Sequence, residues 1–237
     1  MKIHRFFSDN PVREGWTTIT GPEFYHLKSV IRAQPDDTVE IIDGAGGLIT
    51  GEIRQISKNE AKIYIKNRRK VEPKPARLIV APAIFKKKAM ALMIEKLSEM
   101  GIEEIRPIEF IRSDEVYSTA QLDKWQKIAQ QSLKVNKNLW ATRIYPPADM
   151  ATILQFSKNI PIKILMDIHG DCALPEQLSQ PTLAVIGPPG DYTAEEREVF
   201  IENDFIPFKI NTAILKSETA AISIAAVLSH RLTISQQ

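Results

Sequence analysis

Two segments carry residue types and spacings that can do chemistry. The first runs from Ile186 to Glu196 and reads IGPPGDYTAEE. A glycine- and proline-rich turn follows an apolar run and precedes Thr193 and Glu196, which are spaced as a capping box for a helix. Gly187 and Gly190 let backbone amides or carbonyls come close to a ligand, while Pro188 and Pro189 stiffen the turn. Open α/β sheets place ligand-binding loops at this kind of position. The G-x-G-x-x-G pattern of a dinucleotide site is absent, and no G-K-[ST] follows to make a P-loop. A rigid turn without any ligand explains the same residues.

The second segment, Ile214 to Ala220, reads ILKSETA. Ser217 or Thr219 can cap a helix that begins here, and Glu218 would sit well against the positive end of its dipole. Capping alone also accounts for this polar cluster. Metal chemistry finds little support. His4, His26, His169 and His230 are scattered, and Asp167, His169, Asp171 and Cys172 are the one crowded set, so no metal is expected. No G-x-S-x-G elbow occurs, and Cys172 lacks the surroundings of a nucleophile.

The elements around these segments form two groups. Trp16–Ile19, Thr38–Ile42, Leu48–Ile56 and Ala61–Ile65 are short β-prone stretches, separated by turns at Pro35-Asp36-Asp37 and Asp43–Gly47. Phe24, Leu27, Val30 and Ile31 give one short helical face. Composition changes over RRKVEPKP, Arg68 to Pro75, where prolines and basic residues suggest a linker. Beyond it, Leu78–Ala81 reads as a covered strand. Met90, Met93, Ile94, Leu97 and Met100 read as the buried stripe of a helix capped by Gly101. A strand is expected over Ile105–Ile111. A helix should open at Ser118 and Gln121 and bury Leu122, Trp125, Ile128 and Ala129. Ile162–Met166 and Leu183–Ile186 are further covered strands, Thr193 opens a helix to about Asn203, and Ala220–Leu228 is an apolar helix. Covered strands alternating with helices imply α/β architecture with a largely parallel sheet.

Composition narrows the class. The 237 residues carry 31 basic and 29 acidic side chains, a net charge of +2, which does not suit a protein that coats nucleic acid indiscriminately. Clusters at Lys62, Lys66, Arg68, Arg69 and Lys70, and at Lys86, Lys87 and Lys88, can still contact phosphates; a solvated face is the competing reading. A lone cysteine excludes an internal disulfide and fits a reducing compartment. The N-terminus turns polar too early for a signal peptide, and no apolar run is long enough to span a bilayer, so a cytoplasmic location is expected.

These segments together resemble the bacterial 16S ribosomal RNA uridine-N3 methyltransferases of the SPOUT class. The resemblance is carried by His4-Arg5-Phe6-Phe7, His26 to Arg32, Glu95 to Gly101, Arg112-Ser113, Gln131-Ser132 and the two segments above. It implies a PUA-like β-barrel over residues 1–71 that helps hold RNA, and a knotted methyltransferase domain over 76–237 whose last segments thread a deep trefoil knot. It implies S-adenosylmethionine as cofactor, a homodimer, and 16S rRNA in the small ribosomal subunit as substrate. By the same resemblance, Ile186, Gly187, Pro188, Gly190, Ile214, Leu215 and Thr219 would hold the cofactor. Arg112, Glu218 and Lys216 would stand near the reaction, and His26, Arg32, Lys66, Arg68 and Arg69 would contact RNA. The chain departs from the family's usual Gly-Pro-Glu-Gly-Gly at Pro189 and Asp191, and from its arginines at Ala213 and Lys216. An alternative on the same fold is a catalytically weak protein that binds RNA or S-adenosylmethionine. A small-molecule enzyme using the glycine/proline turn for another ligand is a third.

Overall fold

The computed structural model describes residues 3–8, 12, 14–73, 78–113, 117–171, 173–174 and 180–235, the side chains of 233–235 excepted. The chain divides into two compact units: Met1–Pro73 with Leu133–Ala141, and Lys74–Ser132 with Thr142–Gln237.

The first unit contains β1 (His4–Phe7), β2 (Trp16–Thr20), helix α1 (Gly21–Tyr25), a π-helical turn (His26–Ile31), β3 (Thr38–Ile42), β4 (Gly47–Ile56) and β5 (Glu60–Lys70). They form a five-stranded sheet in the order β1-β3-β4-β5-β2, with β1 parallel to β3 and the other pairs antiparallel. Alternation sorts the faces: Ala61 and Ile63 of β5 are buried, while Lys62 and Tyr64 are exposed. Register shifts after Thr50 and Ile53 put one bulge into β5 at Lys66 and one into β4 at Arg54, and curl the sheet around Phe6, Ile19, Leu27, Ile53 and Ile63.

Two local expectations are corrected here. Arg68–Lys70 belong to β5, not to a linker, and pair with Ile49, Leu48 and Gly47. Their side chains are all exposed, so pairing by backbone alone carries the strand past its last apolar residue. The segment after Phe24 widens into a π-turn, which buries Phe24 and Leu27 but leaves Val30 61% exposed. Arg32 ends that turn in the left-handed region at φ 56.

Leu133–Ala141 completes this unit. Leu133 packs with Ile42 and Leu48 in a small core that Phe7, Leu139 and Ala141 border. The Gly46 N–H donates to Leu139 O and the Ala141 N–H to Gly44 O, both at 2.8 Å. Asp43 shapes the turn between β3 and β4 by accepting from the Ala45 and Gly47 amides at 2.7 and 2.8 Å.

The second unit contains β6 (Leu78–Pro82), α2 (Lys87–Glu99), β7 (Glu104–Ile105), β8 (Ile108–Glu109), α3 (Thr119–Asn136) as far as Ser132, β9 (Arg143–Ile144), β10 (Ala148–Asp149), α4 (Met150–Ser157), β11 (Ile162–Asp171), β12 (Thr182–Ile186), α5 (Ala194–Glu202), β13 (Ile206–Phe208) and α6 (Ser217–Ser235). Its main sheet has six strands in the order β13-β11-β12-β6-β7-β9, and every neighbouring pair is parallel. All five residues of β6 and of β12 are buried, as a sheet covered on both faces requires. Helix α6 contributes Ala221, Ile224, Ala225, Leu228 and Leu232 to that core. Gly101 closes α2 at φ 77, where the Ile102 N–H reaches back to Leu97 O at 3.1 Å.

The strand expected over Ile105–Ile111 is two short strands instead. Pro107 has no N–H to continue a ladder, and its carbonyl accepts from Ala148 N at 3.0 Å, so pairing moves from β7 in the main sheet to β8 beside β10. Among the described residues no helix is long and apolar enough to cross a membrane.

Leu133 is 98% removed from solvent in a core of few members. Leu133→Ala should therefore cost about 2–4 kcal/mol in urea unfolding, whereas Val135→Ala, at a position 76% exposed, should stay within about 0.5 kcal/mol.

Candidate active site

The carboxyl ends of β11, β12 and β13 feed three loops that line one cleft of about 160 Å³ in the second unit. Its wall is Met166–Ile168 from β11, Ile186–Pro189 with Asp191 and Tyr192 after β12, and residues 208–211 and 213–215 with Ser217 and Ala220 leading into α6. The opening has a cause in the sheet. Met166 and Asp171 both register against Phe208, so the intervening residues of β11 bulge away from β13. Asp167 sits in that bulge, 4% exposed; its carboxylate accepts from Arg197 Nε at 2.6 Å and from the His169 N–H at 2.8 Å.

Tyr192 explains why position 187 is glycine. A Cβ there would come within 2.8 Å of the Tyr192 ring. The phenol is buried and lies 3.4 Å from Val185 O. Burial pushes its pKa well above the ordinary 10.0, with Asp191, Asp167 and Glu196 adding to the effect and the Gly187 backbone opposing it. It is therefore a neutral wall of the site rather than a proton carrier.

Thr193 and Glu196 form the expected capping box of α5, with side chain and backbone bonds in both directions. Glu196 does more than cap. It is 5% exposed, and its second oxygen accepts from the Ile111 N–H at 3.0 Å while the first accepts from Thr193 N at 2.8 Å. The neighbouring Arg112 donates to Gly190 O at 2.8 Å and to Tyr192 O at 3.4 Å. The segment after β8 is thus fastened to the loop after β12 by two side chains. Asp191 occupies the left-handed region at φ 61, which favours glycine, and its carboxylate accepts from the Tyr192 N–H at 2.9 Å. That local bond helps an aspartate hold a conformation that favours glycine.

Of the residues expected to hold a ligand, Ile186, Gly187, Pro188, Ile214 and Leu215 line the cleft; Gly190 stands between the lining residues Pro189 and Asp191 and accepts from Arg112, and both lie outside the lining. Lys216, Glu218 and Thr219 stand at the start of α6 outside the lining; the Ala220 N–H bonds Lys216 O, which places Lys216 at the helix start. His26 and Arg32 bracket the π-turn of the first unit, while Lys66, Arg68 and Arg69 lie along β5. Asp167, Tyr192, Lys209 and Asn211 join the cleft without having been singled out as ligand-holding residues. The strand-end position of Asp167 was the available signal. Among the described residues, no group of three or more His, Cys, Asp or Glu could hold a metal ion; Cys172 lies outside them.

The model of the RNA methyltransferase domain matches residues 72–229, more than half of the chain, and that of the RNA methyltransferase PUA domain matches residues 19–66. This chain belongs to the RNA methyltransferase family. It is similar to the ribosomal RNA small subunit methyltransferase E of Mesomycoplasma hyopneumoniae, 26% identical over 226 residues that cover 93% of this chain and 96% of that protein. The protein so named from Bacillus subtilis is 22% identical over 229 residues, 90% of each chain. Among solved structures, ribosomal RNA small subunit methyltransferase E from Neisseria gonorrhoeae bound to S-adenosyl methionine aligns with TM-score 0.84 at 22% identity, over 97% of this chain and 98% of that one. A Legionella pneumophila protein solved with bound SAM gives 0.87 at 19% identity over the same shares. At these identities the likeness shows a shared fold, with the PUA unit first and the parallel sheet second.

Glu196→Ala should leave two amides of separate segments unpaired and cost about 2–4 kcal/mol in chemical denaturation. Glu196→Gln, which keeps the acceptor oxygen but loses the charge, should recover part of that loss.

Proposed function

We propose that this RNA methyltransferase transfers the methyl group of S-adenosylmethionine to N3 of a uridine in 16S rRNA, with the assembled small ribosomal subunit as substrate. The observation that carries the proposal is the cleft at the carboxyl ends of β11, β12 and β13, in a chain whose relatives are small-subunit rRNA methyltransferases and whose structural neighbours bind this cofactor.

The lining suits the cofactor chemically. Ile186, Leu215 and Ile214, the last 82% exposed, offer apolar surface to a purine ring, while loop backbone and Asn211 offer polar partners. When bound there, S-adenosylmethionine supplies an electrophilic methyl group on a sulfonium. The protein's share is positioning, charge and the fate of one proton. Gly187 and Pro188, with Ile214 and Leu215, are the lining residues proposed to hold it, and Gly190 and Thr219, outside the lining, are proposed to support them. Uracil N3 carries a weakly acidic proton that must leave as N3 is methylated; Glu218 is the proposed acceptor. Arg112 and Lys216 are the cations proposed to stabilise charge on the uracil oxygens. Arg112 already bonds the loop through Gly190 O, so it also fixes the wall. His26, Arg32, Lys66, Arg68 and Arg69 are proposed RNA contacts of the first unit.

A homodimer belongs to this reading. Ile111 and Ile214 are 81% and 82% exposed, the first beside Arg112 and the second on the cleft, and a second subunit would cover them. The threaded C-terminal segment of the family and a cytoplasmic location belong to it as well. Its rival is a weak or inactive binder on the same fold, favoured by the absence of arginine at Ala213 and Lys216.

Incubation with unmodified small subunits and labelled S-adenosylmethionine, followed by nucleoside mass analysis, should yield 3-methyluridine at one site. Arg112→Ala should lower kcat/KM about 10²-fold. Cofactor binding without transfer would favour the rival reading, and a ribose- or C5-methylated product would contradict the proposed chemistry.

A further inference from the structure

We propose that the outer face of β2 and β5 is a stacking platform for unpaired RNA bases, a reading that rests on the assignment of this chain as an RNA methyltransferase. Trp16 and Tyr64 are directly opposed across the antiparallel pair. Their rings meet edge to face with centroids 5.1 Å apart at 62°. Both are well exposed, at 42% and 39%.

The core of this unit does not require them. Thr17 and Ile19 of β2, with Ala61 and Ile63 of β5, point inward and are buried. The opposite face would ordinarily be polar, and two large aromatic side chains there leave ring surface open to water.

Cations flank the pair. Lys66 lies with its ammonium 5.6 Å from the Tyr64 ring centroid and pairs with Glu52 at 3.3 Å. Lys62 is exposed, opposite Thr18 on the same face. Strand alternation places Lys62 and Tyr64 about 6.8 Å apart on this face, and Lys66, the bulged residue between Ile65 and Asn67, turns its ammonium toward the Tyr64 ring. Glu52, which Arg54 also holds, and Glu60, two residues before Lys62, are acids on this face. Aromatic surface between two lysines fits a single strand, whose bases offer π-faces and whose phosphates seek positive charge. A duplex hides its base faces and does not fit. The charge along the strip also favours RNA over an acidic peptide, which would leave the rings unused.

The purely structural account is that Trp16 and Tyr64 steady the edge strand β2 as a cross-strand pair. It predicts loss of stability on substitution but no optical response to RNA. The two accounts separate in a titration of the full chain with a short single-stranded oligouridylate and with a duplex of equal length. The single strand should quench tryptophan fluorescence saturably, and the duplex should not. Trp125 cannot supply this signal, being 3% exposed, and any share from the half-buried Trp140, whose Nε1–H bonds Val71 O, is read separately in a Trp140→Phe background. Trp16→Phe keeps an aromatic ring in the pair, so it should abolish the quenching while keeping most of the affinity. Trp16→Ala with Tyr64→Ala should weaken single-strand binding about tenfold. Lys62→Gln with Lys66→Gln should flatten the plot of log affinity against log salt by about 1.4. Single-strand binding with undiminished fluorescence, or quenching that survives in Trp16→Phe, would overturn the platform. Unchanged methyl transfer by that same protein would leave the methyltransferase reading standing. A wild-type chain that binds no RNA and methylates none would overturn both.

Discussion

A buried carboxylate holds the candidate site together. Glu196 accepts from amides of two distant segments, Ile111 after β8 and Thr193 at the start of α5, and is nearly closed to solvent. Without it, the loop after β12 would keep its strand, its helix and the Arg112 bonds but lose the tie to the Ile111 amide. With it, and with Arg112 on Gly190 O, the loop acquires a third support from a separate part of the sheet. A stiff wall limits the ordering that must accompany ligand binding, and so leaves more of the contact energy for affinity. The capping box, the ion pair of Asp167 with Arg197, and the packing of Tyr192 under Gly187 all depend on α5 starting where that carboxylate fixes it.

Much of this framework is legible in the sequence, because the signals are local. Leu78–Ala81 and Leu183–Ile186 are unbroken apolar runs between turn residues, and they became central parallel strands. Thr193 with Glu196, and Gly101 after a stripe of methionine and leucine, marked helix ends through backbone chemistry that needs no tertiary context. The errors fall where a distant partner decides. Arg68–Lys70 look like a linker by composition, but β4 is long enough to pair with them. Pro107 divides an apolar run because its carbonyl is claimed by Ala148. The alliance of Leu133–Ala141 with the first unit has no signature in its own residues; it follows from Ile42, Leu48 and Gly46 offering a surface and hydrogen bonds.

The site shows the same division. Glycine and proline mark the loop after β12 from sequence alone, yet the reason for Gly187 is the Tyr192 ring five residues later. The aspartate at 191 reads as a departure, and its backbone shows the left-handed conformation that makes glycine the usual occupant. Asp167 is legible as part of a polar cluster at a strand end, but its place in the cleft comes from a register shift between β11 and β13 that its own residues do not announce. Ala213 lines the cleft and Lys216 follows it on the same exposed stretch, so substitutions at either position meet solvent rather than the core.

The central claim is that the loops after β12 and β13 together hold the cofactor. Backbone hydrogen exchange with and without S-adenosylmethionine tests it most directly. The account predicts slowed exchange over residues 187–192 and 209–217, with little change along β2 and β5. Tight binding that protects neither loop, or that protects residues elsewhere, would contradict it.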